Sequence, residues 1–202
     1  MLERVTFLLR LLQLVAGNLI QGISVAALVQ ANLGLPGWDV FHQGLARVFG
    51  VPFGAVVVAV SLLVLLLWIP LRERPGIGTV VNALLVGTFV EVGLGWIPSF
   101  EQLAFQVGSL VVGTVAFSLG TAMYIGADLG PGPRDGLMTG LARRGASVRA
   151  ARTAIELLAL VVGWLLGGVV GVGTIVFSLA VGPLVQAFLP WLAHARWSRR
   201  GG

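Results

Sequence analysis

The segment NLGLPGWDVFHQGLA (residues 32–46) returns in altered form as DLGPGPRDGLMTGLA (residues 128–142), at an offset of 96 positions. Both copies combine glycine, proline and aspartate, and both interrupt stretches made mainly of valine, leucine and glycine. The matched positions include Leu33-Gly34 with Leu129-Gly130, Asp39 with Asp135, and residues 44–46 with 140–142. Self-similarity at a fixed offset indicates an internal duplication.

The duplication extends over nearly the whole chain. VAGNLIQGISVAA from residue 15 aligns with VVGTVAFSLGTAM from residue 111, and GIGTVVNALLVG from residue 76 aligns with GVGTIVFSLAVG from residue 171 at an offset of 95. Because the first apolar segment has an internal counterpart, we expect a permanent helix there and not a cleaved signal peptide. We predict two repeats, residues 1–98 and 99–202, within one structural domain.

The composition is that of an all-α polytopic membrane protein. Hydrophobic residues make up 57% of the chain and charged residues 10%, against roughly 25% charged residues in an average soluble domain. Six apolar segments approach the ~20 residues that a transmembrane helix needs. These predicted spans cover residues 5–27, 54–69, 79–97, 103–125, 150–166 and 172–192.

The arginines predict the orientation of these spans. Each repeat holds three spans, an odd number, so the second repeat is expected to cross the bilayer in the inverted sense. With a cytoplasmic N-terminus, only Arg47 lies outside, and the following arginines lie on the cytoplasmic side: Arg4, Arg10, Arg72, Arg74, Arg134, Arg143, Arg144, Arg149, Arg152, Arg196, Arg199 and Arg200. This asymmetry predicts that both termini are cytoplasmic. It also explains the basic charge without a nucleic-acid partner.

The two irregular segments, residues 36–49 and 133–144, each follow the first span of a repeat and are too short to cross a membrane. Proline is favoured at a helix start, where its missing N–H costs nothing. We therefore predict a short broken or re-entrant helix in each repeat. Such helices are tolerated at membrane depth where they line a cavity, and in inverted-repeat transporters they form the substrate site.

Four polar residues of these segments are candidates for a substrate or ion pathway. Asp39 and Asp135 stand in the first turn of each short helix, where helix capping is the alternative role. His42 follows Asp39 by three residues and can form a pH-sensitive pair with it, although a lone histidine at such a position is more often an ordinary interfacial residue. Arg134 can hold an anionic group or simply add to the cytoplasmic positive charge.

Two more acidic residues lie within the predicted spans. Glu91 is paired by the repeat with Gln186, and as an intramembrane carboxylate it is a candidate proton relay. The alternative is a snorkelling or locally hydrogen-bonded glutamate near the interface. Glu156 follows Arg152 by four residues, so an ion pair on one helix face is expected.

Asn18, Asn82, Thr79 and Thr174 complete the candidate polar lining, with interhelical hydrogen bonding as the alternative. The sequence lacks cysteine, His-rich metal spacings and the motifs of nucleophilic enzymes. We therefore expect neither an enzyme nor a bound metal or cofactor.

Long compound motifs carry a resemblance to a known family: LGLPGWDVFHQGLARVFGVPFG (residues 33–54), PGIGTVVNALLVGTFVE (75–91) and GADLGPGPRDGLMTGL (126–141). The chain resembles the YczE/YyaS/YitT family of bacterial multispanning membrane proteins, most closely its YczE branch. The resemblance implies a six-span inner-membrane protein that is suspected of transport. Relatives are often encoded beside regulators that sense pyridoxal phosphate, which makes a vitamin B6 vitamer a candidate solute.

These observations favour a small secondary transporter of a polar or anionic solute, with protons coupled through Glu91 and help from Asp39 and Asp135. Two alternatives remain open at this point. One is a membrane scaffold or regulatory protein, and the other is a substrate-capture subunit that works with a separate energising partner. Besides lipid and solute, the glycine-rich faces are compatible with a homodimer.

Overall fold

The computed structural model of the protein describes residues 2–145 and 147–193, and this part of the chain contains helices and loops but no strand. The helices are α1 (Leu2–Ala31), α2 (Gly37–Phe49), α3 (Phe53–Leu71), α4 (Ile77–Trp96), α5 (Leu103–Gly126), α6 (Pro133–Ala142), α7 (Val148–Leu165) and α8 (Val172–Leu192). We call α1–α4 the first half and α5–α8 the second half. Each half runs in the same order: a long helix, a short helix and two long helices.

Within residues 2–145 and 147–193, five helices are long and apolar enough to cross a membrane: α1 from Val5, α3, α4, α5 and α8. They coincide with five of the six predicted spans, so the chain is a polytopic helical membrane protein. The remaining predicted span, residues 150–166, is the fifth in chain order and falls on α7, which has 18 residues and carries three charged side chains, Arg149, Arg152 and Glu156. Arg196, Arg199 and Arg200 and the end of the second predicted repeat lie outside the described residues.

The centre of the fold is the crossing of α1 and α5, the first helices of the two halves. A Cβ added to Gly17 would lie 2.8 Å from the carbonyl oxygen of Gly120, and one added to Gly120 would lie 2.6 Å from that of Gly17. The two backbones therefore touch. Close approach at small residues is what holds helices together in lipid, where apolar side chains gain little by leaving the acyl chains.

Two loop contacts interlock the halves. The amide of Gly78, at the start of α4, donates to the Leu129 carbonyl at 2.9 Å, and the amide of Gly173, at the start of α8, donates to the Leu33 carbonyl at 2.7 Å. Gly34 follows Leu33 with φ +110°, and a Cβ there would lie 2.5 Å from the backbone nitrogen of Gly171. The doubled Leu-Gly motif thus seats the loop of one half on the Gly-x-Gly-Thr turn of the other.

Each short helix packs on a long helix of the opposite half. α2 lies on α7, where a Cβ added to Gly163 would be 2.4 Å from the Cα of Phe41. α6 lies on α3, where the Trp68 indole packs over Gly136 and donates its Nε1 hydrogen to the Pro133 carbonyl at 3.0 Å. The predicted short segments are therefore real helices, and this cross-packing brings both of their first turns towards the interior.

Candidate functional site

A cavity of about 520 Å³ opens between α5, α6, α7 and α8 and reaches the middle of the molecule. Its walls include the starts of both short helices, residues 36–38 at α2 and residues 132–135 at α6. A second hollow, on the outer face of α3, is lined mostly by apolar side chains, among them Leu62, Leu63, Leu65 and Leu66, and is typical of a lipid-facing surface. The chemistry is therefore concentrated in the first cavity.

Asp135 stands on the cavity wall in the first turn of α6. Its Oδ2 accepts a hydrogen bond of 2.6 Å from the hydroxyl of Tyr124, on α5. Sequence reasoning missed this partner. The available signal was that Tyr124 is the single tyrosine of the chain and falls within a predicted span.

Arg134 also lines the cavity, and its guanidinium carbon lies 5.5 Å from the ring centroid of Trp38. This cation–π contact joins the first turns of α6 and α2, the two doubled segments. Among the described residues, no carboxylate lies within ion-pair distance of Arg134. The cavity therefore contains a cation without an anionic partner.

Asp39 and His42 form the predicted pair, behind Trp38. The Nδ1 of His42 lies 3.1 Å from Oδ1 of Asp39, and both side chains are almost completely buried. Aromatic rings enclose the histidine, with Trp38 at 6.2 Å and Phe53 at 6.2 Å between centroids. The second carboxylate oxygen, Oδ2 of Asp39, has no described partner. The aspartate is thus engaged with histidine and not with the backbone amides of its own helix start.

Glu91 lies elsewhere. Its side chain is exposed, it takes no part in the cavity wall, and its Oε2 accepts a hydrogen bond of 2.8 Å from the Gly54 amide in the first turn of α3. The expectation of a Glu91 proton relay in the pathway is not supported by this position, because the carboxylate satisfies one of the free amides at a helix start. Its repeat partner Gln186 does line the cavity.

The remaining predicted residues divide into two groups. Asn82 lines the cavity and donates from Nδ2 to Oδ1 of the buried Asn18 at 2.8 Å. Thr79 and Thr174 accept from the amides of Gly76 and Gly171, and Thr79 also donates to the Pro131 carbonyl at 2.7 Å. The two threonines thus stabilise the turns, and Thr174 touches the cavity as well.

The expected ion pair between Arg152 and Glu156 is confirmed, with 3.0 Å between Nε and Oε1, and both residues lie on the α7 wall of the cavity. In residues 2–145 and 147–193, no group of three or more histidine and acidic side chains is arranged to hold a metal ion.

The sequence matches the family of unknown function DUF6198 over residues 8–190. The chain belongs to this family. Its relatives include an uncharacterized protein of Haemophilus influenzae (35% identical over 87% of this chain and 81% of the relative). The uncharacterized membrane protein YczE of Bacillus subtilis is 32% identical over 87% and 83%, and the uncharacterized protein YyaS of the same organism is 26% identical over 86% and 89%. The predicted resemblance is confirmed. No solved structure gives a significant match.

Proposed function

We propose that the protein is a secondary transporter that moves a small polar or anionic solute across the bacterial inner membrane. The observation that carries this proposal is the cavity where the first turns of both short helices meet. Amides at helix starts are free to bind, and the positive end of each helix dipole favours anionic groups. Transporters built from inverted repeats use half-helices in this way near the membrane midplane.

The proposed architecture is six spans in two inverted repeats with both termini in the cytoplasm. In this arrangement α7 is the fifth span and α8 the sixth. Its charged residues all fall in its first nine residues, where arginine side chains can extend to the cytoplasmic headgroups. Arg152 neutralises Glu156 at 3.0 Å, which lowers the cost of placing that carboxylate near lipid.

Proton coupling, in this proposal, belongs to the Asp39–His42 pair and not to Glu91. The pair is buried beside the cavity wall, and one carboxylate oxygen is left without a partner. The histidine nitrogen lies 3.1 Å from the carboxylate, so a proton that reaches the pair can be held between the two side chains. Asp135, held by Tyr124, acts as the partner residue in the second half.

The scaffold alternative predicts a tightly packed interior, and a polar cavity of this size supports solute binding instead. The capture-subunit alternative differs from a transporter in one respect: the purified protein alone would bind solute without moving it. Reconstitution therefore separates the alternatives.

The test is uptake by proteoliposomes under an imposed pH gradient, with a panel of metabolites and vitamins that includes the B6 vitamers. We expect one solute class to accumulate, and Asp39→Asn and Asp135→Asn to abolish its accumulation. Glu101→Gln is the matched control, because Glu101 is exposed and outside the cavity. Binding by thermal shift without flux would favour the capture subunit, and the absence of both would favour a scaffold.

A further inference from the structure

The walls of the cavity combine aromatic rings with one unpaired cation. Phe117 and Phe177 pack edge to face with 4.9 Å between centroids, and together with Trp38 and Tyr124 they form an aromatic lining. Such a lining binds a flat, unsaturated body through offset and edge contacts in addition to the hydrophobic effect.

The charged groups of the cavity differ in how they are already used. Arg152 is paired with Glu156, and Asp135 accepts from Tyr124. Asp39 is paired with His42 behind the wall. Among the charged side chains on the described wall, Arg134 alone contacts an aromatic ring face and no charged or hydrogen-bonding partner. A guanidinium in a partly dry cavity is stabilised strongly by an oxyanion, which it can bind with two parallel hydrogen bonds.

The indole N–H of Trp38, next to Arg134, is a second donor without a partner. Trp38 is about nine-tenths buried and lies on the cavity wall. Its indole nitrogen is buried and has no acceptor. A buried donor without a partner is costly, and a bound acceptor removes that cost. The Arg134 guanidinium carbon lies 5.5 Å from the centroid of the Trp38 ring. The indole nitrogen is covered in this conformation, so it reaches an acceptor beside Arg134 only after the ring turns.

From this arrangement we infer that the solute is a small oxyanion, carboxylate or phosphate, that bears an aromatic ring. The oxyanion binds Arg134 and the Trp38 indole N–H, and the ring packs against Phe117 and Phe177. This inference rests on the proposed function for its biological meaning, but the binding site itself does not depend on transport.

The experiment measures binding by calorimetry in detergent with four matched probes: benzoate, phenyl phosphate, benzamide and cyclohexanecarboxylate. Benzamide keeps the ring and loses the charge, and cyclohexanecarboxylate keeps the charge and loses the aromatic ring. We expect benzoate or phenyl phosphate to bind at least about tenfold more tightly than benzamide, as one charge-assisted hydrogen bond predicts. Cyclohexanecarboxylate should bind several-fold more weakly than benzoate. The better of the two oxyanions identifies the headgroup.

Variants assign the effect to residues. Arg134→Gln should erase the preference for benzoate over benzamide, Arg134→Lys should keep part of it, and Trp38→Phe should weaken benzoate several-fold while the ring contact stays. Arg149→Gln, an exposed arginine away from the cavity, is the control. The inference is overturned if a folded wild-type protein binds neither oxyanion at millimolar concentration, if it binds benzamide as tightly, or if Arg134→Gln changes nothing.

The failure of this inference and that of the proposed function are distinguishable. If a non-aromatic or cationic solute accumulates in proteoliposomes, the proposed transport is supported and the aromatic oxyanion is ruled out as the solute. If benzoate binds through Arg134 but never crosses the vesicle membrane, the binding site is supported and the proposed transport is contradicted.

Discussion

The third and fourth helices of the first half are closed on each other, whereas those of the second half stand apart. α3 packs along α4 so tightly that a Cβ added to Gly87 would lie 2.5 Å from the Gly54 carbonyl oxygen. In the described residues α7 and α8 barely touch, and the cavity opens between them. Gly182 is the repeat equivalent of Gly87, and a Cβ added there would have nothing within 4 Å.

A second pair of equivalent positions repeats the contrast. Glu91 links α4 to α3 because its carboxylate accepts a hydrogen bond from the Gly54 amide. Gln186, its equivalent 95 residues later, makes no described hydrogen bond and faces the cavity. One sequence pattern therefore exists in two arrangements, sealed in the first half and open in the second. In an inverted-repeat transporter, exchange of these two arrangements would open the other side of the membrane. We expect Gly182 to be the closing contact of the alternative state.

Larger side chains at the equivalent glycines, Gly87 and Gly182, should have very different effects on stability. Gly87→Leu should destabilise the protein by about 3 kcal/mol or more, because the new side chain meets the backbone of Gly54 and Val58 as well as the Val58 side chain. Gly182→Leu should leave the thermal unfolding transition within about 0.5 kcal/mol, because the space there is open. Thermal unfolding in detergent measures both.

The same two variants also test closure. Gly182→Leu should abolish solute flux in proteoliposomes while solute binding persists, since only the closed form of the second half needs a glycine there. Gly182→Ala, with a much smaller side chain, is the matched variant and should keep part of the flux. Full flux in Gly182→Leu would mean that α7 and α8 do not close on each other.

A disulfide cross-link tests directly whether α7 and α8 can close on each other. Thr153 is the repeat equivalent of Val58, which touches Gly87, and both Thr153 and Gly182 line the cavity. The chain has no cysteine, so Thr153→Cys with Gly182→Cys introduces a single pair. A disulfide needs Cβ atoms about 3.5–4.5 Å apart, which the open form does not provide. We expect oxidation to trap the closed form, stop transport and be reversed by reductant, with each single variant as control.

The sequence predicted best those features that depend on local geometry. The Asp39–His42 and Arg152–Glu156 pairs follow from helical spacings of three and four residues, and both exist. The short helices follow from proline and glycine at their starts. A local hydrogen bond was one of the two roles predicted for Glu91, but its partner Gly54 was not predicted. The partner depends on how two helices pack, and helix packing in lipid is set by close surface fit and not by a periodic pattern.

The two halves also satisfy their aspartates differently, and sequence comparison did not reveal this. Asp135 accepts from Tyr124, whose repeat equivalent is Leu28, whereas Asp39 pairs with His42, whose equivalent is Met138. A repeat alignment pairs positions, but each aspartate found its partner at a position where the two halves differ. The difference between the closed and open halves is similarly invisible, because the equivalent glycines Gly87 and Gly182 are identical in sequence.

Removal of the tyrosine hydroxyl tests the partner in the open half. Tyr124→Phe should lower the free energy of unfolding by about 1–2 kcal/mol, because a half-buried carboxylate loses its described donor. It should also change the solute affinity, since Asp135 is then free to approach Arg134. Tyr124→Phe combined with Asp135→Asn should be non-additive in a double-mutant cycle. Additive effects would mean that the two side chains act independently.

The smallest expected effect lies in the closed half. Glu91→Gln should lower the free energy of unfolding by about 0.5–1 kcal/mol, since an exposed carboxylate that satisfies a helix-start amide is worth about as much as a capping residue. Gln can still accept from the Gly54 amide, so Glu91→Ala should cost more, and Gln186→Ala serves as the matched control with almost no cost in the open half. Proton-driven uptake should persist in Glu91→Gln, because Asp39 and His42 remain. Loss of the pH-driven component in Glu91→Gln, with thermal unfolding unchanged, would return proton coupling to Glu91 and reverse the roles of the two sites.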